Sequence, residues 1–328
     1  MKTRTCLLAI LAVVVWLVSV GSPASAQKFK VAGVLPASVK DLSWNALAQE
    51  GLNRVKEKYG AETSLTEMVS DADAERVIRD YANRGYHLII CHSFNFQDAC
   101  LRVAKDFPNV HFANMSGFKT APNMIACDWL SHETGYLAGV IAGLMTKTNR
   151  IGAIGGFAVP SIVRELEGFK LGVQAVNPRA EVFTTYAGTW RDTAKGLEAA
   201  LALIENKVDV LISDGNGLTV GAIKGAEQKG IKAIGAIGDL HPLAPQNVLT
   251  SIVYNIPGTI EILTERTLKG IFKEGSRFLA LGLKDRGTFL APYRGNVPDS
   301  VAKRVEEFQA KIVSGELKVP QIDKPPKK

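Results

Sequence analysis

The chain has 328 residues, of which 46% are hydrophobic and 22% charged, and its formal net charge at pH 7 is +7. Four lysines and one aspartate in residues 318–328 account for +3 of that charge. The rest of the chain is mildly basic and has no basic stripe interleaved with aromatic residues. This composition argues against nucleic acid as a partner.

The first 26 residues have the features of a cleavable signal peptide. Two basic residues precede an apolar run over residues 7–20, and Ala24-Ser25-Ala26 has the small side chains of a cleavage site. Cys6 lies before the apolar run, so it is not placed for lipid attachment. We therefore expect residues 1–26 to be a signal peptide and the mature protein to be exported, soluble and not lipidated.

After this leader, short β-branched runs alternate with segments of helical periodicity. Such an alternation is typical of parallel sheets covered by helices on both faces. The predicted strands are 29–35, 63–69, 87–92, 109–114, 123–127, 150–154, 180–186, 208–213, 231–236, 248–254 and 277–283, with a short return near 287–291. The predicted helices are 43–58, 73–84, 96–106, 131–146, 160–175, 191–205, 217–229, 257–272 and 298–313. The fold class is α/β.

The elements divide into two halves with the order of Rossmann-like lobes. We expect residues 27–128 with about 255–276 to form lobe 1, and residues 129–250 with about 277–313 to form lobe 2. Chain crossings between the lobes would make a hinge beside a cleft. The basic, proline-rich residues 314–328 are expected to be a disordered tail.

Two smaller patterns bear on packing. Gly135, Gly139 and Gly143 follow one another at i+4 spacing in a predicted helix, which gives a flat face that another backbone can approach closely. After the leader the chain has three cysteines, an odd number that permits at most one intramolecular disulfide. The sequence leaves open whether any pair forms.

Sequence motifs for catalysis, metal binding and phosphate binding are absent. The glycine-rich residues 151–157 follow a predicted strand, but their spacing differs from G-x-G-x-x-G and no P-loop lysine follows. The five histidines are scattered, and no H-E-x-x-H, C-x-x-C or G-x-S-x-G segment occurs. We therefore predict no metal, no cofactor and no catalytic residue.

Aromatic and polar residues follow the ends of several predicted strands. In a parallel α/β sheet this edge is where ligands bind. The residues concerned are Trp44, Asn45, Ser93, Phe94, Asp128, Trp129, Trp190, Asp214, Gly215 and Asp239. A single residue of this kind more often packs than binds, so it is their joint placement that favours a small planar ligand, stacked on aromatic rings and hydrogen-bonded at its edges.

Several segments resemble the basic membrane protein family of ABC-importer substrate-binding proteins. Ser43-Trp44-Asn45 is similar to the family's Ser-Phe-Asn loop, and residues 133–139 to its Glu-x-x-Tyr-Leu-Ala-Gly helix. Residues 188–196 are similar to its Gly-x-Phe-x-Asp…Lys-Gly segment, and residues 237–239 to the segment ending in its ligand-binding aspartate. The resemblance covers most of residues 29–291 in the expected order. It implies a type I periplasmic-binding-protein fold and a purine-nucleoside ligand.

The resemblance also implies roles for single residues. Trp44 and Trp190 would stack the base, Asn45 would hydrogen-bond its edge, and Asp239 would meet the ribose hydroxyls. Tyr254 stands where the family has a lysine that helps to hold the sugar, and tryptophan replaces phenylalanine at both stacking positions. These departures favour a bare nucleobase, or another small ring compound, over a nucleoside.

The leading hypothesis is a monomeric periplasmic receptor that closes on a purine-like ligand and presents it to an inner-membrane ABC permease. One alternative is an exported nucleoside-processing enzyme that uses Asp41, Asp128, Asp214 or Asp239 as base. Another is a receptor for a different ring compound that feeds transport or signalling. The sequence does not separate transport from signalling.

Overall fold

The computed structural model describes residues 28–325, so the signal peptide expected for residues 1–26 lies outside the described residues. The strands are β1 (Lys30–Val34), β2 (Glu62–Thr66), β3 (Leu88–Cys91), β4 (His111–Met115), β5 (Met124–Trp129), β6 (Arg150–Gly155), β7 (Glu181–Tyr186), β8 (Val210–Asp214), β9 (Lys232–Gly235), β10 (Val248–Tyr254), β11 (Phe278–Leu281) and β12 (Thr288–Leu290). The helices are α1 (Trp44–Tyr59), α2 (Ala74–Asn83), α3 (Gln97–Asp106), α4 (Ser131–Met145), α5 (Pro160–Val176), α6 (Thr193–Glu205), α7 (Asn216–Lys229), α8 (Ile256–Leu268) and α9 (Asp299–Ser314).

The strands form two sheets, one in each lobe. The lobe 1 sheet has the order β2-β1-β3-β4-β5-β11, and every neighbouring pair in it is parallel. The lobe 2 sheet has the order β7-β6-β8-β9-β10-β12 and is parallel except for β12. Buried apolar strands with helices between them are what a parallel sheet requires, and the predicted α/β class is confirmed.

The strand predicted at 277–283 was assigned to the wrong lobe. β11 pairs in parallel with β5 at the edge of the lobe 1 sheet, from Phe278 beside Ala126 to Leu281 beside Trp129. The next strand, β12, is antiparallel to β10 and lies in the lobe 2 sheet. A four-residue strand carries no sequence signal for its partner, because pairing depends on the free edge that the rest of the fold leaves.

The glycine face of α4 packs directly on α5. A Cβ atom on Gly139 would lie 1.9 Å from the carbonyl oxygen of Phe169, and one on Gly135 would lie 2.3 Å from that of Glu165. Gly168 and Gly172 of α5 make equally close approaches to α4. The predicted close approach is confirmed, and it packs the middle of α5, including Glu165 of the site described below, against α4.

The C-terminal segment, expected to be disordered over residues 314–328, packs on the main core in the part that the structure describes. Val319 is buried against the main core, and the Asp323 carboxylate accepts a hydrogen bond from Nε of the buried Arg164 at 2.9 Å. Apolar contacts of Leu317 and Val319 and the ion pair of Asp323 with Arg164 hold this segment in spite of its basic composition.

Cys91, Cys100 and Cys127 are buried free thiols. Burial raises the pKa of the Cys91 and Cys127 thiols. Between residues 28 and 325, no helix is both long enough and apolar enough to cross a membrane.

Candidate functional site

A cavity lies between the two lobes at the carboxyl ends of their strands. Its empty volume, including space open to solvent, is about 680 Å³, within the ~300–1,000 Å³ typical of small-molecule pockets. It is lined by Pro36, Trp44, Ser93, Phe94, Asn95 and Ser116 from lobe 1, and by Val159, Ser161, Ile162, Trp190, Arg191, Asp214, Asn216, Ile237 and Tyr254 from lobe 2. Both lobes therefore contribute aromatic and polar side chains to one cavity.

Six of the predicted site residues line this cavity: Trp44, Ser93, Phe94, Trp190, Asp214 and Tyr254. The other five lie outside its lining: Asn45, Asp128, Trp129, Gly215 and Asp239. The lining residues offer side chains to the cavity, and several of the other five support them from behind.

Trp44 is held rigidly at the first turn of α1. Its indole Nε1 donates to the carbonyl oxygen of His92 at 2.9 Å, and its ring stacks on the imidazole with centroids 4.2 Å apart. Burial lowers the pKa of His92 to about 4, so this imidazole is neutral at physiological pH. Since its N–H is already bonded, Trp44 offers the cavity ring surface rather than a hydrogen bond.

The turn before Trp44 is organised by Asp41 rather than by Ser43, the residue that precedes the helix. Ser43 is at the N-cap position, but its side chain makes no capping bond. Asp41 instead accepts hydrogen bonds from the backbone N–H groups of Ser43, Asn45 and Ala46 at 2.9–3.1 Å. One carboxylate thus satisfies several of the unpaired donors at a helix start.

Asn45 is fully buried beneath this turn and faces Asp41. Its Nδ2 donates to Asp41 Oδ2 at 2.7 Å, and its Oδ1 has no partner. Asn45 therefore braces the loop that presents Trp44.

Trp190 is positioned by the glycine-rich turn after β6. A Cβ atom on Gly156 would lie 2.4 Å from Cε3 of Trp190, so only glycine leaves room for the indole. Phe157 packs beside it with ring centroids 4.9 Å apart. The unusual glycine spacing of residues 151–157 accommodates this aromatic ring.

Trp129 and Asp128 stand behind the cavity. The Trp129 ring stacks on Tyr254 with centroids 5.2 Å apart and meets Trp44 edge-on at 5.7 Å, so it supports both lining residues. Asp128 forms a buried ion pair with Arg164 of lobe 2 at 2.9 Å. Burial raises the pKa of Asp128, with Arg164 acting in the opposite direction.

Asp239 lies in a different cleft from the lining residues. Its carboxylate pairs with Arg294, and it borders a second depression together with Arg54 and Phe289. Gly215 is at the N-cap position of α7, next to Asp214. Neither residue is among those that line the cavity.

A buried acidic cluster forms part of the lobe 2 wall. The Tyr254 hydroxyl donates to Glu165 Oε2 at 2.6 Å and lies 3.4 Å from Asp214 Oδ2. Burial raises the pKa of Asp214 to about 6, and burial together with the charge of Asp214 raises the pKa of Glu165. Glu165 was not predicted from the sequence, because it lies between Arg164 and Leu166 and belongs to no recognisable motif.

The two lobes also touch beside the cavity. A Cβ atom on Gly238 would lie 2.9 Å from the carbonyl oxygen of Leu42, so the loop after β9 contacts the turn before α1. The neighbouring Ile237, which lines the cavity, has φ = 74°. A β-branched residue rarely adopts this conformation, and such strain is concentrated at functional sites.

No group of three His, Cys, Asp or Glu side chains within residues 28–325 is arranged to hold a metal ion. The two lobes, each built on a mostly parallel sheet, enclose one cavity between them. This arrangement is that of a two-lobed solute-binding protein of the periplasmic-binding-protein type.

A family model described as "ABC transporter substrate-binding protein PnrA-like", named Bmp, matches residues 28–323, and the chain belongs to this family. A purine-binding protein of Brucella abortus (strain 2308) is 35% identical over 300 residues, covering 90% of this chain and 84% of that protein. The transcriptional activator protein Med of Bacillus subtilis (strain 168) is 28% identical over 291 residues, covering 88% of this chain and 90% of that protein.

Among solved structures, an ABC transporter solute-binding protein from Conexibacter woesei DSM 14684 superposes with a TM-score of 0.73 at 30% identity, covering 89% of this chain and 99% of that chain. The family predicted from the sequence motifs is confirmed. A substrate-binding protein of an ABC system binds a small molecule and works with a membrane permease.

Proposed function

We propose that this protein is the periplasmic receptor of an ABC importer for a purine, and that the bare nucleobase is its preferred ligand. The observation that carries the proposal is the shared cavity, to which lobe 1 contributes Trp44 and lobe 2 contributes Trp190. A planar ring that contacts both indoles stabilises the closed arrangement of the lobes. The purine-binding relative from Brucella abortus supports the same ligand class.

The polar lining favours a nucleobase over a nucleoside. The Tyr254 hydroxyl, at the position implied to hold a sugar, already donates to Glu165. Asp239, implied to meet ribose hydroxyls, lies outside the cavity lining and pairs with Arg294. These contacts leave fewer groups free for a ribose than for the edge of a heterocycle.

The test is a ligand screen of residues 27–328 by thermal shift, followed by calorimetry. Purine bases should raise the unfolding temperature, with nucleosides, pyrimidines and sugars giving smaller shifts. A ligand at 100 times its Kd adds about 2.7 kcal/mol to the free energy of unfolding. If a non-purine ring compound gives the largest shift, the receptor assignment stands and the purine assignment fails.

A matched pair of variants tests whether Trp44 stacks on the ligand. Trp44→Ala should weaken binding of the best ligand roughly 5- to 150-fold, since stacking contributes about 1–3 kcal/mol per base. Phe278→Ala removes a partly exposed aromatic ring of β11 that is outside the cavity lining, and it should leave the Kd unchanged. Equal effects of the two variants would contradict a stacking role for Trp44.

Two other functions make different predictions. If the protein is an enzyme that uses an aspartate as base, incubation with a nucleoside must yield a new product on chromatography, whereas a receptor returns the ligand unchanged. The Med relative favours a sensor as the second candidate. A sensor would co-purify in a ligand-dependent way with a signalling protein instead of a permease.

A further inference from the structure

Glu165, Tyr254 and Asp214 come from three different elements, α5, β10 and β8, and converge on the lobe 2 wall. Glu165 and Asp214 have no solvent exposure, and Tyr254 has 5%. Asp214 and Tyr254 line the cavity, whereas Glu165 lies behind them. The single hydroxyl of Tyr254 lies between the two carboxyl groups, at 2.6 Å from one and 3.4 Å from the other.

Each carboxyl group has one oxygen without a partner. Asp214 Oδ1 and Glu165 Oε1 are buried and make no hydrogen bond within the described residues. A buried acceptor left unpaired costs about 1–3 kcal/mol, so a protein has reason to keep one mainly where a ligand supplies the donor. Of the two residues, only Asp214 is among those that line the cavity.

Few positive charges near Glu165 and Asp214 are placed to compensate the charge of their carboxyl groups. The cation next to Glu165 in the chain, Arg164, is directed to Asp128 and Asp323 instead. From the segment before α6, the exposed Arg191 lines the same cavity. On α4, which packs against α5, burial lowers the pKa of His132 to about 4, which keeps this imidazole neutral.

At neutral pH we therefore expect Glu165 and Asp214 to hold one proton between them. Two like charges in one buried site are not both retained, and the group with the higher pKa keeps its proton. Burial raises the pKa of Asp214 to about 6, and that of Glu165 is raised further by the Asp214 charge. With a pKa of about 6, Asp214 is mostly ionised near pH 7, and the raised pKa of Glu165 favours the proton on that carboxyl group.

We propose that Asp214 is the specificity-determining acceptor of this cavity, and that it selects ring ligands whose facing edge carries N–H donors. Glu165 acts through Asp214 and Tyr254 as a positioning residue: it takes the shared proton and fixes the tyrosine hydroxyl. A ligand with a carbonyl oxygen at this edge would meet a carboxylate oxygen and be rejected by repulsion between acceptors. This proposal rests on the proposed receptor function and names the chemical group that the receptor reads.

The first experiment uses ligand pairs that differ by one N–H. Calorimetry compares adenine with its N-methylated derivatives, on the wild-type protein and on Asp214→Asn. In the wild type, methylating the nitrogen that faces Asp214 should weaken binding about 10- to 100-fold, as expected for a hydrogen bond to a charged group. In Asp214→Asn the same methylation should cost less than about threefold.

The second experiment is a pH series, which separates Asp214 from Glu165. Between pH 7.5 and pH 5 the wild type should lose about tenfold in affinity as Asp214 is protonated. Glu165→Gln keeps the titrating carboxyl at the wall and should retain this loss, whereas Asp214→Asn should show a flat profile. The exposed Glu57→Gln of α1 is the matched charge control and should follow the wild type.

The outcomes separate this proposal from the proposed function. If no purine base binds the wild type, the purine assignment fails at the screen, before any variant is made. If purines bind, but every N-methyl derivative costs the same in the wild type and in Asp214→Asn, the receptor assignment stands and the role of Asp214 is refuted. If the affinity of Glu165→Gln does not change with pH while that of Asp214→Asn still falls between pH 7.5 and pH 5, the two roles are reversed and the proposal is refuted.

Discussion

Compared with the wild type, Asp214→Asn should gain stability as the pH rises from acid to neutral, although it removes a carboxylate from the proposed ligand site. Asp214 is fully buried, and burial raises its pKa from the ordinary 3.8 to about 6. The folded state therefore binds this proton more tightly than the unfolded state, and the wild type loses stability as the pH rises from about 4 to about 6. A difference of about two pKa units, at roughly 1.4 kcal/mol each, gives about 3 kcal/mol.

The quantity to measure is the difference in the free energy of unfolding between Asp214→Asn and the wild type, from urea titrations at several pH values between 4 and 7.5. At pH 4 both side chains are neutral in the folded state, and the difference reports only the change in shape and hydrogen bonding. Between pH 4 and pH 7 the free energy of unfolding of the variant should rise by about 3 kcal/mol relative to that of the wild type. Above pH 7 the difference should stay constant. Exposed Glu57→Gln should show no such shift. A difference that is constant across the range, or that moves in the opposite direction, would refute the reasoning.

Two further predictions test how the stacking residues are positioned. Gly156→Ala should displace the Trp190 indole, because the added Cβ would lie 2.4 Å from the ring; calorimetry should show weaker ligand binding, and unchanged affinity would mean that Trp190 does not hold the ligand. Asp41→Ala should destabilise the fold by about 1–2 kcal/mol in urea titrations through loss of the bonds at the start of α1. Ser43→Ala should have less than half that effect, since the Ser43 side chain makes no capping bond, and the reverse order would contradict the assignment of Asp41 as the capping group.

The order of the elements was readable from the sequence because hydrophobic periodicity and turn residues are local signals. Trp44 and Trp190 were found in the same way, since each follows a predicted strand at the ligand-binding edge of a parallel sheet. These features depend only on residues near one another in the chain.

Two features that the sequence did not predict, the role of Glu165 and the position of β11, depend on partners that are distant in the chain. Glu165 lies 89 positions from Tyr254, and no periodicity links them. β11 is a short strand whose partner is set by the edge that β5 leaves open. Asn45 was predicted to face the ligand, but its side chain is bonded to Asp41, four positions away. Packing decides which way such a side chain faces, and the spacing of residues in the sequence does not show it.

The C-terminal segment has a practical consequence through Arg164. That guanidinium contacts Asp128 of lobe 1 and Asp323 near the end of the chain, so the last described residues sit at the junction of the lobes. Rotation of lobe 2 against lobe 1 would carry the chain end along with α5. A fluorescent label attached beyond Asp323, paired with a second label on lobe 1, would follow opening and closing in real time without entering the cavity.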